Sequence, residues 1–164
     1  MFALWVMCMQ ETSCCFFGHR EIAETAQLRE QLDAVIENLI VRERVDTFLF
    51  GSKSRFDRLC HERVTKRKET YPYIRRVYVR AEFPVIDDSY KAYLLERYED
   101  TEYPEKLLGA GRAVYVERNR ELVDRSSFCI VYYLEEAAPK NRKSGTKAAL
   151  DYAIRKNRCV ILLP

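Results

Sequence analysis

From Ser13 onward the chain alternates short apolar runs with longer stretches whose apolar positions recur at helical spacing. The runs are Ser13 to Phe17, Thr47 to Phe50, Arg76 to Val79, Phe128 to Leu134 and Cys159 to Leu163. Between the first two, Leu28, Leu32, Val35, Ile36, Leu39 and Ile40 fall on one face of a helix. Phe56, Leu59, Cys60 and Val64 give a second helix, Val116, Leu122 and Val123 a third, and Ala149, Tyr152 and Ala153 a last one. Such alternation is the signature of βα units around a parallel sheet. Residues 82 to 111 carry Pro84, Pro104, Gly109 and Gly111 and read as a crossover with a short helix near Tyr90 to Tyr98. The expectation is an α/β, Rossmann-like three-layer fold with a mostly parallel five-stranded sheet, one domain over residues 13–164. Such a fold binds ligands beyond the carboxyl ends of its strands, where strand order reverses.

Composition narrows the function classes. With 164 residues, 48% of them hydrophobic and 32% charged, the chain can bury one core and is no disordered segment. No apolar run approaches the 18 or so residues of a spanning helix. The net charge of +3, with both signs mixed along the chain, supplies no concentrated field for nucleic acid or membrane, so neither is an expected partner. The first eleven residues, MFALWVMCMQE, have no basic residue before their apolar stretch and no small-residue cleavage site after it. The expected location is the cytoplasm. Residues 1–12 could be an upstream start, an edge strand or a partner-docking segment. The six cysteines form no CxxC pair, which argues against zinc. Cys14 and Cys15 should face opposite sides of a strand, and Cys14, Cys15, Cys129 and Cys159 sit in apolar runs where a reduced thiol is a small hydrophobe. No metal or cofactor is implied.

Three of the five glycines fall at the edge where ligands bind in such folds. Gly18 ends the first run, Gly51 ends the second, and Gly145 opens the last helix. A glycine at a strand-to-helix turn either makes a tight turn or lets a ligand reach bare backbone beside the helix N–H groups. The neighbours are Gly18-His19-Arg20, Gly51-Ser52-Lys53-Ser54 and Lys143-Ser144-Gly145-Thr146, which offer cations and hydroxyls to phosphate oxygens. Their convergence favours one phosphate-binding pocket. No GxxxxGK[ST] or GxGxxG occurs, so neither a triphosphate loop nor a dinucleotide fingerprint is present.

Taken in order, CCFFGHR, FGSKSRFDRL, VERNRELVDRSSFCIVYY and KSGTKAALDYA resemble the SLOG superfamily, most closely its YpsA-like, functionally unassigned bacterial and phage branch, from about Ser13 to Pro164. That superfamily joins the Rossmann-like domain of the DNA-processing protein Smf (DprA) with the LOG phosphoribohydrolases. The resemblance implies a sensor or sequestering protein for a phosphorylated nucleotide or nucleotide-derived signal. It also leaves open a homo-oligomer, since relatives pair through helices. The residues it marks for the ligand are Gly18, His19, Arg20, Gly51, Ser52, Lys53, Asp57, Arg118, Asn119, Ser144, Gly145 and Thr146.

The chain departs from the pattern twice. Relatives carry a second glycine before the Phe-Asp pair of the second motif, where this chain has Arg55 before Phe56 and Asp57. Asp57 then either contacts a ribose hydroxyl or base edge, or caps its helix. The LOG enzymes combine an arginine with a glutamate in PGGxGTxxE. Here Arg118 remains within Glu117-Arg118-Asn119, but Ala149 occupies the glutamate position and Asn141-Arg142-Lys143 replaces the upstream PGG. Glycosidic cleavage needs a carboxylate to activate water and stabilise an oxocarbenium-like centre, which alanine cannot supply. No residue is therefore assigned as catalytic, and the chain leans away from enzymes. A LOG-type N-glycosidase and a DprA-like DNA-binding module are the rival readings.

The other polar residues are less specific. Arg118, Asn119 and Arg120 should begin a helix with at least one arginine solvated. His19 is an acid, a base or a residue that holds a loop, and His61 reads as surface or packing. Tyr90 or Tyr115 could stack on a base.

Overall fold

The structure is a computed structural model and describes residues 11–141 and 143–164. The leader expected over residues 1–12 therefore falls almost wholly outside the described residues. Of it, Thr12 is seen accepting hydrogen bonds at its carbonyl from the amides of Asp46 and Thr47.

Six parallel strands form one sheet in the order β4-β3-β2-β1-β5-β6. They are β1 (Ser13–Gly18), β2 (Thr47–Phe50), β3 (Arg75–Val79), β4 (Asp100–Glu102), β5 (Phe128–Tyr132) and β6 (Cys159–Leu163). The helices are α1 (Ala26–Val41), α2 (Arg55–Thr70), α3 (Asp88–Leu95), α4 (Val114–Arg125) and α5 (Gly145–Arg155). The five expected strands are all present, and the Rossmann-like three-layer arrangement holds. The sixth, β4, was hidden in the crossover because Asp-Thr-Glu has no apolar character. It is an edge strand only partly buried, so nothing demands apolar residues there. The crossover helix is Asp88–Leu95, opened by the Asp87 carboxylate accepting from the Tyr90 amide at 2.7 Å. It stops short of Tyr98, which instead packs against Phe50 and Tyr78.

Strand alternation divides the core in two. Cys14, Phe16, Phe48 and Phe50 face α1 and α2, meeting Leu32, Ile36, Phe56 and Val64. Cys15, Phe17, Leu49, Val77 and Cys129 face α4 and α5, meeting Leu122, Val123, Ala149 and Ala153. The adjacent cysteines do point to opposite faces. Register sets Cys15 beside Cys129, with their sulfurs 3.4 Å apart. Cys60 is buried as well, although it lies outside the apolar runs. Cys159 departs from the core expectation: it is exposed, because β6 is the outer strand and its first residue has no neighbour beyond it.

No described helix is long and apolar enough to cross a membrane. Among the described residues no group of three or more His, Cys, Asp or Glu is placed to hold a metal ion.

Candidate functional site

Strand order reverses between β1 and β5, whose ends pair Gly18 with Tyr132. This is the usual ligand position of a doubly wound sheet, and here the chain's own side chains fill it. A Cβ at Gly18 would run into the Phe56 ring, so this glycine is demanded by the packing of α2 on β1. The Gly18 carbonyl accepts from Thr146 Oγ1 at 3.0 Å, which ties the start of α5 to β1. His19 is buried, and its Nε2 accepts from the Leu134 amide at 2.8 Å. That bond places the ring proton on Nδ1. The His19 ring also lies beside Tyr133 and edge-on to Tyr132. Gly18, His19 and Thr146 thus hold the first and fifth strands' loops together and line neither of the two cavities that flank them.

The first cavity, about 290 Å³, opens beyond β2 and β3. Arg20, Gly51, Ser52 and Lys53 line one side; Tyr78, Arg80, Glu82, Phe83 and Tyr90 line the other; Tyr115 and Arg118 reach in from α4. Arg118 is 5% exposed. Its Nη1 donates to the carbonyls of Gly51 and Val79, and its Nε to Asn119 Oδ1 at 3.0 Å. A Cβ at Gly51 would stand 2.8 Å from Arg118 Nη1 and from the Val79 oxygen, so only glycine admits the guanidinium here. Among the described residues no carboxylate oxygen lies within 4.0 Å of Arg118. Burial lowers its pKa, opposed by Tyr78, Asp57, Tyr115 and Glu82. Burial likewise pushes Tyr78 up to about 12.

The mouth of this cavity is spanned by Glu82. Its carboxylate pairs with Lys53 at 3.3 Å and accepts from the Tyr115 hydroxyl. The Tyr115 and Lys53 hydrogen bonds hold Glu82 below the usual carboxylate range. Beneath, Arg80 is buried and donates to Thr101 Oγ1 at 3.0 Å and to the carbonyls of Phe83 and Pro84. Those bonds shape the loop in which Phe83 takes φ +58. Ser52 orders the opposite loop, accepting from the Ser54 amide at 3.0 Å, and Ser54 in turn caps α2 through the Asp57 amide at 3.0 Å.

The second cavity, about 770 Å³, is a groove between α4 and α5. Asn119, Lys143, Ser144 and Gly145 line it, together with Tyr133, Ala149 and Tyr152. Ser144 caps α5 by accepting from the Lys147 amide at 3.2 Å. Gly145 has open space where a Cβ would be and no positive φ. Ala149 is packed into the core, and nearby Asp151 is paired with Lys147 at 2.7 Å.

The twelve sequence-marked residues therefore share one sheet edge but not one pocket. Arg20, Gly51, Ser52, Lys53 and Arg118 gather in the small cavity; Asn119, Ser144 and Gly145 belong to the groove. Arg118 and Asn119 lie inside α4 rather than at its start, since Val114 to Glu117 already form its first turn. Arg120 is the solvated arginine, paired with Glu117 at 2.8 Å. Asp57 is buried and takes neither of its expected roles, because the serines do the capping and the carboxyl lines neither cavity. His61 packs on Phe50 and Tyr98 and contacts the Arg97 carbonyl at 2.9 Å, consistent with a packing role. Tyr90 and Tyr115 do reach the small cavity. The sequence does not single out Tyr78, Arg80 and Glu82, because the third strand's turn, Val79-Arg80-Ala81-Glu82, has no glycine to flag it. No family model matches the chain, and no curated protein matches it.

Proposed function

We propose that this chain binds a phosphorylated nucleotide or nucleotide-derived signal, as a sensor or sequestering protein, with the phosphate seated on Arg118 in the cavity beyond β2 and β3. The observation that carries the reading is a buried guanidinium facing a cavity with no carboxylate partner. Burying an unpaired charge is costly, and an anion entering from solvent relieves that cost. Arg20 and Lys53 add cations on the same wall, while Tyr90 and Tyr115 offer ring faces to a base. The volume suits a phosphate with its sugar, leaving the base toward the mouth. Three charge-assisted hydrogen bonds at about 1.5–3 kcal/mol each reach roughly millimolar to sub-micromolar affinity. The order of motifs resembling the SLOG superfamily supports the same ligand class.

Mass spectrometry of small molecules released from the purified protein by heat identifies the ligand, and calorimetric titration with that compound measures its affinity. Arg118→Ala is expected to lose at least tenfold in affinity. A nucleotide that binds wild type and Arg118→Ala equally well would place the phosphate elsewhere.

A further inference from the structure

Among the described residues Glu82 is the one acidic side chain lining the small cavity, against the four cations Arg20, Lys53, Arg80 and Arg118. It does not neutralise the arginine that faces the cavity, since it stands more than 4.0 Å from Arg118. Its place is fixed from three sides. Oε2 meets Lys53 Nζ at 3.3 Å from the loop after β2, and Oε1 accepts from the Tyr115 hydroxyl of α4. The backbone that follows it is held by Arg80, which donates to the carbonyls of Phe83 and Pro84. An ionised carboxylate has about four acceptor positions and no donor, so two positions stay open after Lys53 and Tyr115 are served. The ionised form is present at neutral pH, because those two hydrogen bonds hold the group below the usual carboxylate range. With its side chain 39% exposed, Glu82 stands nearer the mouth than the buried Arg118.

A carboxylate so placed repels a second anion and accepts strongly from neutral donors. We infer, on the footing of the phosphate seat proposed above, that Glu82 is the specificity-determining residue of this cavity: it accepts hydrogen bonds from the ribose hydroxyls of a 5′-phosphorylated ribosyl ligand. Arg118 takes the phosphate at the inner end, the sugar follows toward the mouth, and its hydroxyls meet the carboxylate. Lys53, with a side chain 73% exposed, turns aside into solvent to admit it. The ligand is then one with a single anionic head and a hydroxyl-bearing ring behind it, ribose rather than deoxyribose.

Calorimetric titration with ribose 5-phosphate, 2-deoxyribose 5-phosphate and inorganic phosphate separates the two halves of the site, since the three share an anion and differ in hydroxyls. Wild type is expected to bind ribose 5-phosphate about tenfold or more tighter than its deoxy counterpart, the size of one hydrogen bond to a charged acceptor. Glu82→Ala is expected to bind the two sugar phosphates alike and inorganic phosphate at least as tightly as wild type does, because a negative charge has left the cavity. Glu82→Gln, which keeps one neutral acceptor, should fall between. A ribose preference that survives in Glu82→Ala would overturn the inference, as would wild type that binds both sugars equally, a comparison that needs no variant. In either case a loss of inorganic phosphate binding in Arg118→Ala leaves the phosphate seat standing. Binding of all three probes equally by wild type and Arg118→Ala, or binding of none, would remove the seat and this inference together.

Discussion

Arg118 Nε donates to Asn119 Oδ1 at 3.0 Å, yet the two side chains face different cavities, Arg118 the one beyond β2 and β3 and Asn119 the groove between α4 and α5. The hydrogen bond fixes the plane of the guanidinium from its groove side, so that Nη1 meets the Gly51 carbonyl. Arginine placed this way is held by three neutral oxygens and, among the described residues, by no carboxylate within 4.0 Å.

Gly51→Ala tests that seat without removing the arginine. The new Cβ would lie 2.8 Å from Arg118 Nη1 and from the Val79 carbonyl, so the guanidinium must withdraw. We expect a loss of about 1–3 kcal/mol in stability, as buried carbonyls lose their donor. Nucleotide affinity should fall by at least tenfold, measured by calorimetry. Unchanged affinity would show that Arg118 need not stand on Gly51.

The other two edge glycines should respond in opposite directions. Gly18→Ala drives a methyl into Phe56 and is expected to cost about 1–3 kcal/mol, read as a fall in the urea midpoint. Gly145→Ala meets nothing and needs no special backbone, so it should be neutral or stabilise by up to about 1 kcal/mol. A destabilised Gly145→Ala would point to a constraint on the start of α5 that its open surroundings do not show.

Acid should weaken the fold through Glu99. Burial raises its pKa, but hydrogen bonds from the Arg76 side chain and backbone and from Lys68 outweigh this and hold it at about 2. A carboxylate lowered from about 4.5 contributes stability that is present above that value and lost as pH falls toward 2. The full shift corresponds to roughly 3 kcal/mol, and screening at a side chain 24% exposed leaves about 1–2. Glu99→Gln should lose that amount at pH 7 and differ little from wild type near pH 2, by denaturant titration at both. An equal deficit at both pH values would mean that packing, not charge, is what Glu99 supplies.

Base release is not expected. Ala149, buried in the wall of the groove, carries no carboxylate, and the neighbouring carboxylate, Asp151, is engaged by Lys147. Incubation with AMP, IMP, GMP and CMP followed by chromatography should show no turnover approaching one per second, the lower end of ordinary enzyme rates. Turnover at that level would require a water-activating carboxylate elsewhere, with Glu82 the first to replace.

What was legible in the sequence follows from burial. The strands Ser13 to Phe17 and Phe128 to Tyr132 are covered on both faces, so every residue but Ser13 is apolar or aromatic and the pattern is plain. Asp100 to Glu102 lies at an edge, where exposure erases the same signal. Arg118 was readable because an arginine after Glu117 in a motif suggested a ligand contact, but its burial depends on Gly51, far away in sequence. Gly18 was misleading for the opposite reason: a ligand's approach and Phe56 both need the absence of a Cβ, and only the fold distinguishes them. Asp57 looked like a cap or a ribose contact, and nothing local reveals that Ser52 and Ser54 satisfy the turn without it.

The central place of β1 also governs when the molecule can begin to work. All its side chains from Ser13 to Phe17 are buried, and β2 follows at Thr47, but the partner on its other side, β5, begins only at Phe128. During synthesis every group lining the small cavity, Arg20 through Arg118, emerges before that partner exists. Leu122 and Val123 of α4 then lack Cys129 and Val131 to pack on, and one edge of β1 stands unpaired and apolar. A nascent chain ending short of Phe128 would carry all the cavity's side chains and yet be sticky rather than receptive. Completion of the cavity's setting is in this sense a late event, delayed until translation has supplied a strand that lines no part of it.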